Sequence, residues 1–428
     1  MQYSIKNEPV KSILGPILIE IMKLTTSNKI EKIAELFFLI GVFILPFSIA
    51  FMEVSFSIAF VTWLIYKIIK RENLSKDRSL LILIGLFLVS SSVSGFYSGY
   101  PILFFRGMIK IIKYSLVFLI AADFFQDERR LKRLLLTSLI SFSFVIADSL
   151  VQRVNGIDLI RNFLIHYTDL QVRLTGPYKS YGLLGAHLLA LMPITLSLIW
   201  AEKKSLFKKI ILILLFITSL YVLYKTHSRG AWLASFAGWF VYAFLIKSRF
   251  MFIVLVSFLF IVPFTLPKGA IIHLDIQRKE QSLFERYRLL ERALQVTAKR
   301  PLFGCGINTY IKNYPLYDEV KNWRVPGYYA HNGYLQLAAE TGLVSLALFL
   351  LLVWNALKNG YSAICKFESR KRYLSIGAFT ACLALLLQAV SDTTLHNLQT
   401  AVMIWLSLGV LVALNHSYKI QHEFNKRN

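Results

Sequence analysis

The sequence predicts an all-α, polytopic integral membrane protein, and three observations carry that prediction. Of its 428 residues, 56% are hydrophobic and only 17% charged, whereas a soluble domain is about a quarter charged. Apolar runs long enough for a hydrocarbon core of about 30 Å recur along the whole chain. The basic residues cluster in the short segments between those runs, as membrane orientation demands.

A window near nineteen residues reads about twelve spans. They cover residues 34–52, 54–67, 79–97, 103–122, 133–152, 180–200, 206–225, 230–247, 250–267, 335–357, 373–392 and 397–417. The chain therefore divides into an N-terminal segment 1–33, nine spans over 34–267, a loop 268–334, three spans over 335–417 and a tail 418–428. Residues 1–33 carry no signal-peptide pattern. Their one short apolar stretch, Ile13 to Met22, reads as an interfacial helix.

Orientation follows from Lys and Arg. With the N-terminus inside, the inside segments hold more than half of the 48 basic residues. The outside hairpins near 53, at 98–102 and at 393–396 hold none, as the positive-inside rule requires. A net charge of +24 would suit nucleic acid, but its placement assigns it to membrane orientation, and no nucleic-acid partner is expected. Three scattered cysteines, Cys305, Cys365 and Cys382, make neither a disulfide framework nor a thiolate metal site.

Two outside segments break the charge bias. Residues 153–179 hold Arg153, Arg161, Arg173 and Lys179, and residues 268–334 hold eleven basic residues, among them Arg286. Long loops translocate despite such charge, yet a basic outer surface points to an anionic ligand, lipid headgroups being the plain alternative. Within the large loop, Ser282 to Lys299 has apolar positions near helical spacing, and Pro301 with Gly304-Cys305-Gly306 ends it, so an amphipathic helix is predicted there.

Candidate chemistry begins with histidine, the proton acceptor suited to neutral pH. His331, in Ala330-His331-Asn332-Gly333, stands where the large loop enters the tenth span, and His227 stands at the outer end of the seventh. A solvated or capping role is the ordinary one for either, and histidine alone leaves the choice open. Arginine narrows it. Arg229 and Arg173 lie at membrane depth, where arginine is costly and faces a cavity or partner. Its fork of donors suits a diphosphate, and snorkelling to headgroups is the alternative for each taken singly. In the fourth span Arg106, Lys110 and Lys113 form one basic stripe, facing either a polar cavity or the interface. Neither metal-ligand spacing nor a P-loop or serine-hydrolase motif occurs, so no metal or cofactor is expected.

At these residues the chain resembles the O-antigen ligase family, membrane glycosyltransferases that include related O-antigen polymerases. Four pieces match in order: Arg173-Leu-Thr-Gly176; Thr226-His-Ser-Arg229-Gly230-Ala-Trp232; Glu285-Arg286 with Pro301-Leu-Phe-Gly304-Cys-Gly306; and His331-Asn332-Gly-Tyr334-Leu335-Gln336 with Glu340 and Gly342. One departure is Gly182, near which the family commonly has an asparagine; its loss implies a different sugar or acceptor contact.

The resemblance implies transfer of a glycan from undecaprenyl diphosphate to a sugar hydroxyl of lipid A–core, on the periplasmic face of the inner membrane. It implies no metal and no cofactor. Arg173, Arg229 and Arg286, with Arg106 and Lys110 from the stripe, would hold the donor diphosphate. Arg229 and Arg286 would also stabilise the leaving charge, and His331 would act as general base. A polymerase joining lipid-linked repeat units is the alternative, and a polysaccharide flippase or transporter a further one.

Overall fold

The computed structural model describes residues 28–75, 77–168, 171–265, 276–317 and 329–427. They form an all-α bundle of long helices. In chain order these are α1 (28–44), α2 (Ile49–Lys70), α3 (Arg78–Val93, continued by a 3-10 turn to Tyr97), α4 (Pro101–Phe124) and α5 (Glu128–Asn155). Next come α6 (Tyr181–Ala201), α7 (Leu206–Thr226), α8 (Arg229–Ile246), α9 (Arg249–Thr265) and α10 (Ile276–Lys299). The short α11 (Tyr310–Asn313) precedes α12 (Gly333–Lys366), α13 (Ser369–Ser391) and α14 (Leu398–Arg427). At the centre α6 packs against α13, α7 and α8, while α14 packs against α4 and α12.

Among the described residues nine helices are long and apolar enough to cross a membrane. The other three helices at expected spans fall short in length or composition. α1 covers only 28–44 of the described chain, α9 has 17 residues, and α4 carries Arg106, Lys110, Lys113 and Asp123. The first hairpin also differs from the expected turn near 53. It lies at 45–48, where Pro46 cannot continue the helical ladder and the Ser48 hydroxyl caps α2 by accepting from the Phe51 amide at 3.4 Å. Glu53 is therefore inside α2, where it pairs with Lys113. A two-stranded hairpin, His166–Thr168 with Gln171–Arg173, adds to the predicted elements. The expected helix at Ile13 to Met22 lies outside the described residues.

The amphipathic helix of the large loop is present and longer than expected, as α10, and packs against α12. Beyond its C-terminus, residues 301–308 lock into α12. That helix is kinked at Gly342, whose φ is 85° and ψ 169°, a conformation open mainly to glycine. The kink frees helical carbonyls, and the loop backbone takes them. The Cys305 amide donates to the Ala339 carbonyl at 2.9 Å, and the Gly306 amide to the Glu340 carbonyl at 2.9 Å. In return the Leu343 amide donates to the Pro301 carbonyl at 2.7 Å. A broken helix at membrane depth is tolerable only when its freed groups are satisfied this way.

Glycine is required on both sides of this clasp. A Cβ on Gly342 would lie 2.1 Å from the Leu302 carbonyl oxygen, and one on Gly304 (φ 69°) 2.5 Å from the Glu340 carbonyl group. The Glu340 side chain extends the clasp: it accepts from the Asn308 amide at 2.8 Å and from Gln336 Nε2 at 2.9 Å. Gln336 Oε1 in turn accepts from the Ala330 amide at 3.0 Å. The loop is thereby joined to the residue next to His331.

Gly342→Ala should destabilise the protein by about 3 kcal/mol or more, since strained backbone and a backbone clash act together. Gly85→Ala, where an added Cβ meets nothing within 4 Å, should change stability by less than about 0.5 kcal/mol. Thermal unfolding of the two detergent-solubilised variants against wild type checks both.

Candidate functional site

Three long helices begin at one place. Ser180, Ser228 and Asn332 are the N-caps of α6, α8 and α12, each accepting amide hydrogen bonds from its own first turn. At α6 and α8 the first-turn amides beyond the caps, with the helix dipoles behind them, favour an anion in front. Two of the three starts share a further device. His227 and His331 immediately precede their caps, and both have φ 49°. That left-handed step turns the incoming chain sharply into the helix and leaves each imidazole at the helix mouth.

The cleft between these helix starts holds about 980 Å³ of empty volume. Arg173, Arg229, Arg286, His227 and His331 line it, together with Ser180, Tyr181, Gln388, Ser391 and Asp392. Arg173 reaches it from the end of the small hairpin, held over the Tyr181 ring at 4.7 Å from the centroid. Its buried Nε has no partner among the described residues. Arg229 is the first residue of α8 and Arg286 lies on α10, both exposed. The hairpin is tied down by the Leu174 amide, which donates to the Lys225 carbonyl at 3.0 Å.

Asp392 follows the last turn of α13. Its Oδ1 lies 3.9 Å from His331 Nδ1, and its backbone carbonyl accepts from the Gly333 amide at 3.1 Å. The same carboxylate fills the space beside Gly182: a Cβ there would sit 2.7 Å from Asp392 Oδ2. In this chain, then, the missing side chain at 182 makes room for the acid that faces His331.

Of the residues singled out from sequence, Arg173, Arg229, Arg286 and His331 line one cleft although they lie on four separate elements. The basic stripe divides. Arg106 is exposed and is not among the residues lining the cleft. Lys113 pairs with Glu53. Lys110 turns inward, donating to Asn308 Oδ1 at 3.3 Å, and lines an adjoining chamber rather than the arginine cleft. Asp392, Gln388 and Ser391 escape sequence reasoning. Their one signal is an acid closing an apolar run, which reads as the plain end of the eleventh span. His227 is visible in the sequence, but nothing there joins it to the site.

Comparison with known families matches residues 185–350 to the model of a family described as "O-Antigen ligase". Arg229, Arg286 and His331 fall inside the match; Arg173 and Asp392 fall outside it. Among solved structures the chain is similar to one described as "Structural coordination of polymerization and crosslinking by a peptidoglycan synthase complex". The identity is 16%, the TM-score 0.47, and the likeness covers 80% of this chain and 98% of that one. A comparison with curated proteins finds no match.

Charge distribution separates the two histidines of the cleft. Burial lowers the pKa of His331 from its ordinary value; the Asp392 carboxylate opposes this and Arg286 reinforces it. His227 is also lowered, by burial and then by Arg173 and Lys225, with no acid opposing them. Both are therefore neutral acceptors at pH 7, and of the two only His331 faces a carboxylate that favours its protonated form. In histidine-labelled protein followed by NMR, Asp392→Asn removes the stabilising carboxylate, so the His331 pKa should fall further. Arg286→Gln removes an opposing cation, so it should rise. A pKa unmoved by either change would mean that His331 does not sense these groups.

Proposed function

We propose, from the match of residues 185–350 to the O-antigen ligase family, that the chain transfers a glycan from undecaprenyl diphosphate to a sugar hydroxyl of lipid A–core. The reaction would take place on the periplasmic side of the bacterial inner membrane, with the N-terminus in the cytoplasm. One observation carries the reading: three arginines, three helix starts and a neutral imidazole facing a carboxylate converge on a single cleft.

In this reading the donor diphosphate lies against Arg173, Arg229 and Arg286, before the first turns of α6 and α8. Guanidinium forks bind phosphate oxygens bidentately, and each charge-assisted hydrogen bond contributes about 1.5–3 kcal/mol. The arrangement stabilises most where charge grows most, on the departing diphosphate. His331 accepts the proton of the attacking hydroxyl as the new glycosidic bond forms and the sugar–phosphate bond breaks. Asp392 orients the imidazole and favours its protonated form. His227 is flanked by the cations Arg173 and Lys225 and has no such carboxylate beside it. Direct displacement inverts the anomeric centre.

His331→Asn tests the base without disturbing the left-handed backbone, which asparagine tolerates. It should lower the transfer rate roughly 10²–10⁴-fold at normal membrane levels; full activity would remove His331 from the chemistry. Arg229→Lys keeps the charge and loses the fork, so transfer should fall roughly tenfold or more. Unchanged transfer would reduce Arg229 to a headgroup anchor. In a knockout strain, lipid A–core without glycan beside accumulated full-length lipid-linked polymer is the expected glycolipid profile. Accumulated single repeat units would instead mark a polymerase.

A further inference from the structure

Beside the arginine cleft lies a second chamber with about 700 Å³ of empty volume, lined by Lys110, Tyr329, Thr393, Thr394, His396 and Asn397. The two spaces meet at Ser180 and Asp392, which line both. The proposed mechanism uses none of the six residues.

Resting on the transferase reading above, we propose that this chamber seats the acceptor sugar, the one whose hydroxyl attacks. The first reason is directional. Displacement with inversion needs the nucleophile opposite the leaving group. The three arginines line the cleft and none lines the chamber, and the two spaces share only Ser180 and Asp392. Asp392, which faces His331, stands between them, so a hydroxyl entering from the chamber meets the base at the junction.

Charge gives the second reason. The arginine cleft is strongly cationic and suits a diphosphate. The chamber sets one ammonium, Lys110, against one carboxylate, Asp392. Its histidine is uncharged, because burial and then Lys110 hold the His396 pKa at about 3. The 3.8 Å approach of His396 Nδ1 to Glu340 Oε2 is therefore a contact of a neutral ring. What remains is a set of hydrogen-bonding groups without large net charge, the lining that hydroxyls require.

The third reason is an unmet hydrogen-bonding group. Thr394 is 1% exposed, and its Oγ1 has no partner among the described residues. A buried hydroxyl left without a partner is unfavourable, which a sugar hydroxyl would relieve. The half-buried Tyr329 ring packs against His396 at 4.5 Å between centroids and adds aromatic surface to the same lining, against which a pyranose can pack.

The test uses the full-length protein in lipid nanodiscs, with lipid-linked glycan extracted from cells as donor and glycan-free lipid A–core from a knockout strain as acceptor. Thr394→Val and Lys110→Met should each raise the acceptor KM about three- to tenfold, as expected for one lost hydrogen bond. The donor KM and the affinity for undecaprenyl diphosphate should stay at wild-type values. Thr394→Ser, which keeps the hydroxyl, should restore the acceptor KM and guards against a folding defect. A rise in donor KM, or an unmoved acceptor KM in stably folded variants, overturns the assignment while Arg229→Lys still impairs transfer. A wild-type protein that transfers nothing overturns the transferase reading, and this one with it.

Discussion

The backbone clasp between residues 301–308 and the kinked start of α12 is the constraint on which the rest of the site depends. An α-helix that bends in a membrane protein must hand its freed carbonyls and amides to something other than water. Here the loop supplies backbone groups directly, and two glycines let the chains approach within hydrogen-bonding distance. Glu340, buried at the middle of the clasp, passes the constraint through Gln336 to the amide of Ala330. The position of His331 is thus set by backbone geometry a few helical turns away, and the imidazole needs no rigidity of its own.

Around that fixed point the chemistry comes from placement more than from unusual residues. The helix starts of α6 and α8 bring first-turn amides to one spot, and arginines from a hairpin, a helix start and a surface helix add formal charge. One carboxylate, at the end of α13, tips the balance between two similar histidines. The Gly182 position shows how closely these parts are fitted, since a larger residue there would meet the same carboxylate.

Much of the fold is legible in the sequence, because the length of an apolar run reports directly on the helix needed to cross a bilayer. The arginines are legible because a fixed cation is costly at membrane depth and therefore conspicuous. Other features are not. Hydropathy averages over many residues, so it places the first hairpin near Glu53 and not at Pro46. It also merges Asp392 into an apolar run. The stripe Arg106, Lys110 and Lys113 is visible as a face, but helical periodicity cannot say which neighbour each residue meets. One is exposed, one finds Asn308 and one finds Glu53. The glycines of Pro301-Leu-Phe-Gly304-Cys-Gly306 and the Glu340-Thr-Gly342 segment stand out through resemblance, and only the backbone geometry explains them.

The kink at Gly342 bears on which parts of the chain can move. Detaching residues 301–308 would leave the carbonyls of Ala339 and Glu340 and the amide of Leu343 without these partners, so this segment is no hinged lid. Segment and helix are clasped at both ends of the break, so a motion of one is felt by the other. Opening of the arginine cleft has to begin at another element, such as the small hairpin that carries Arg173.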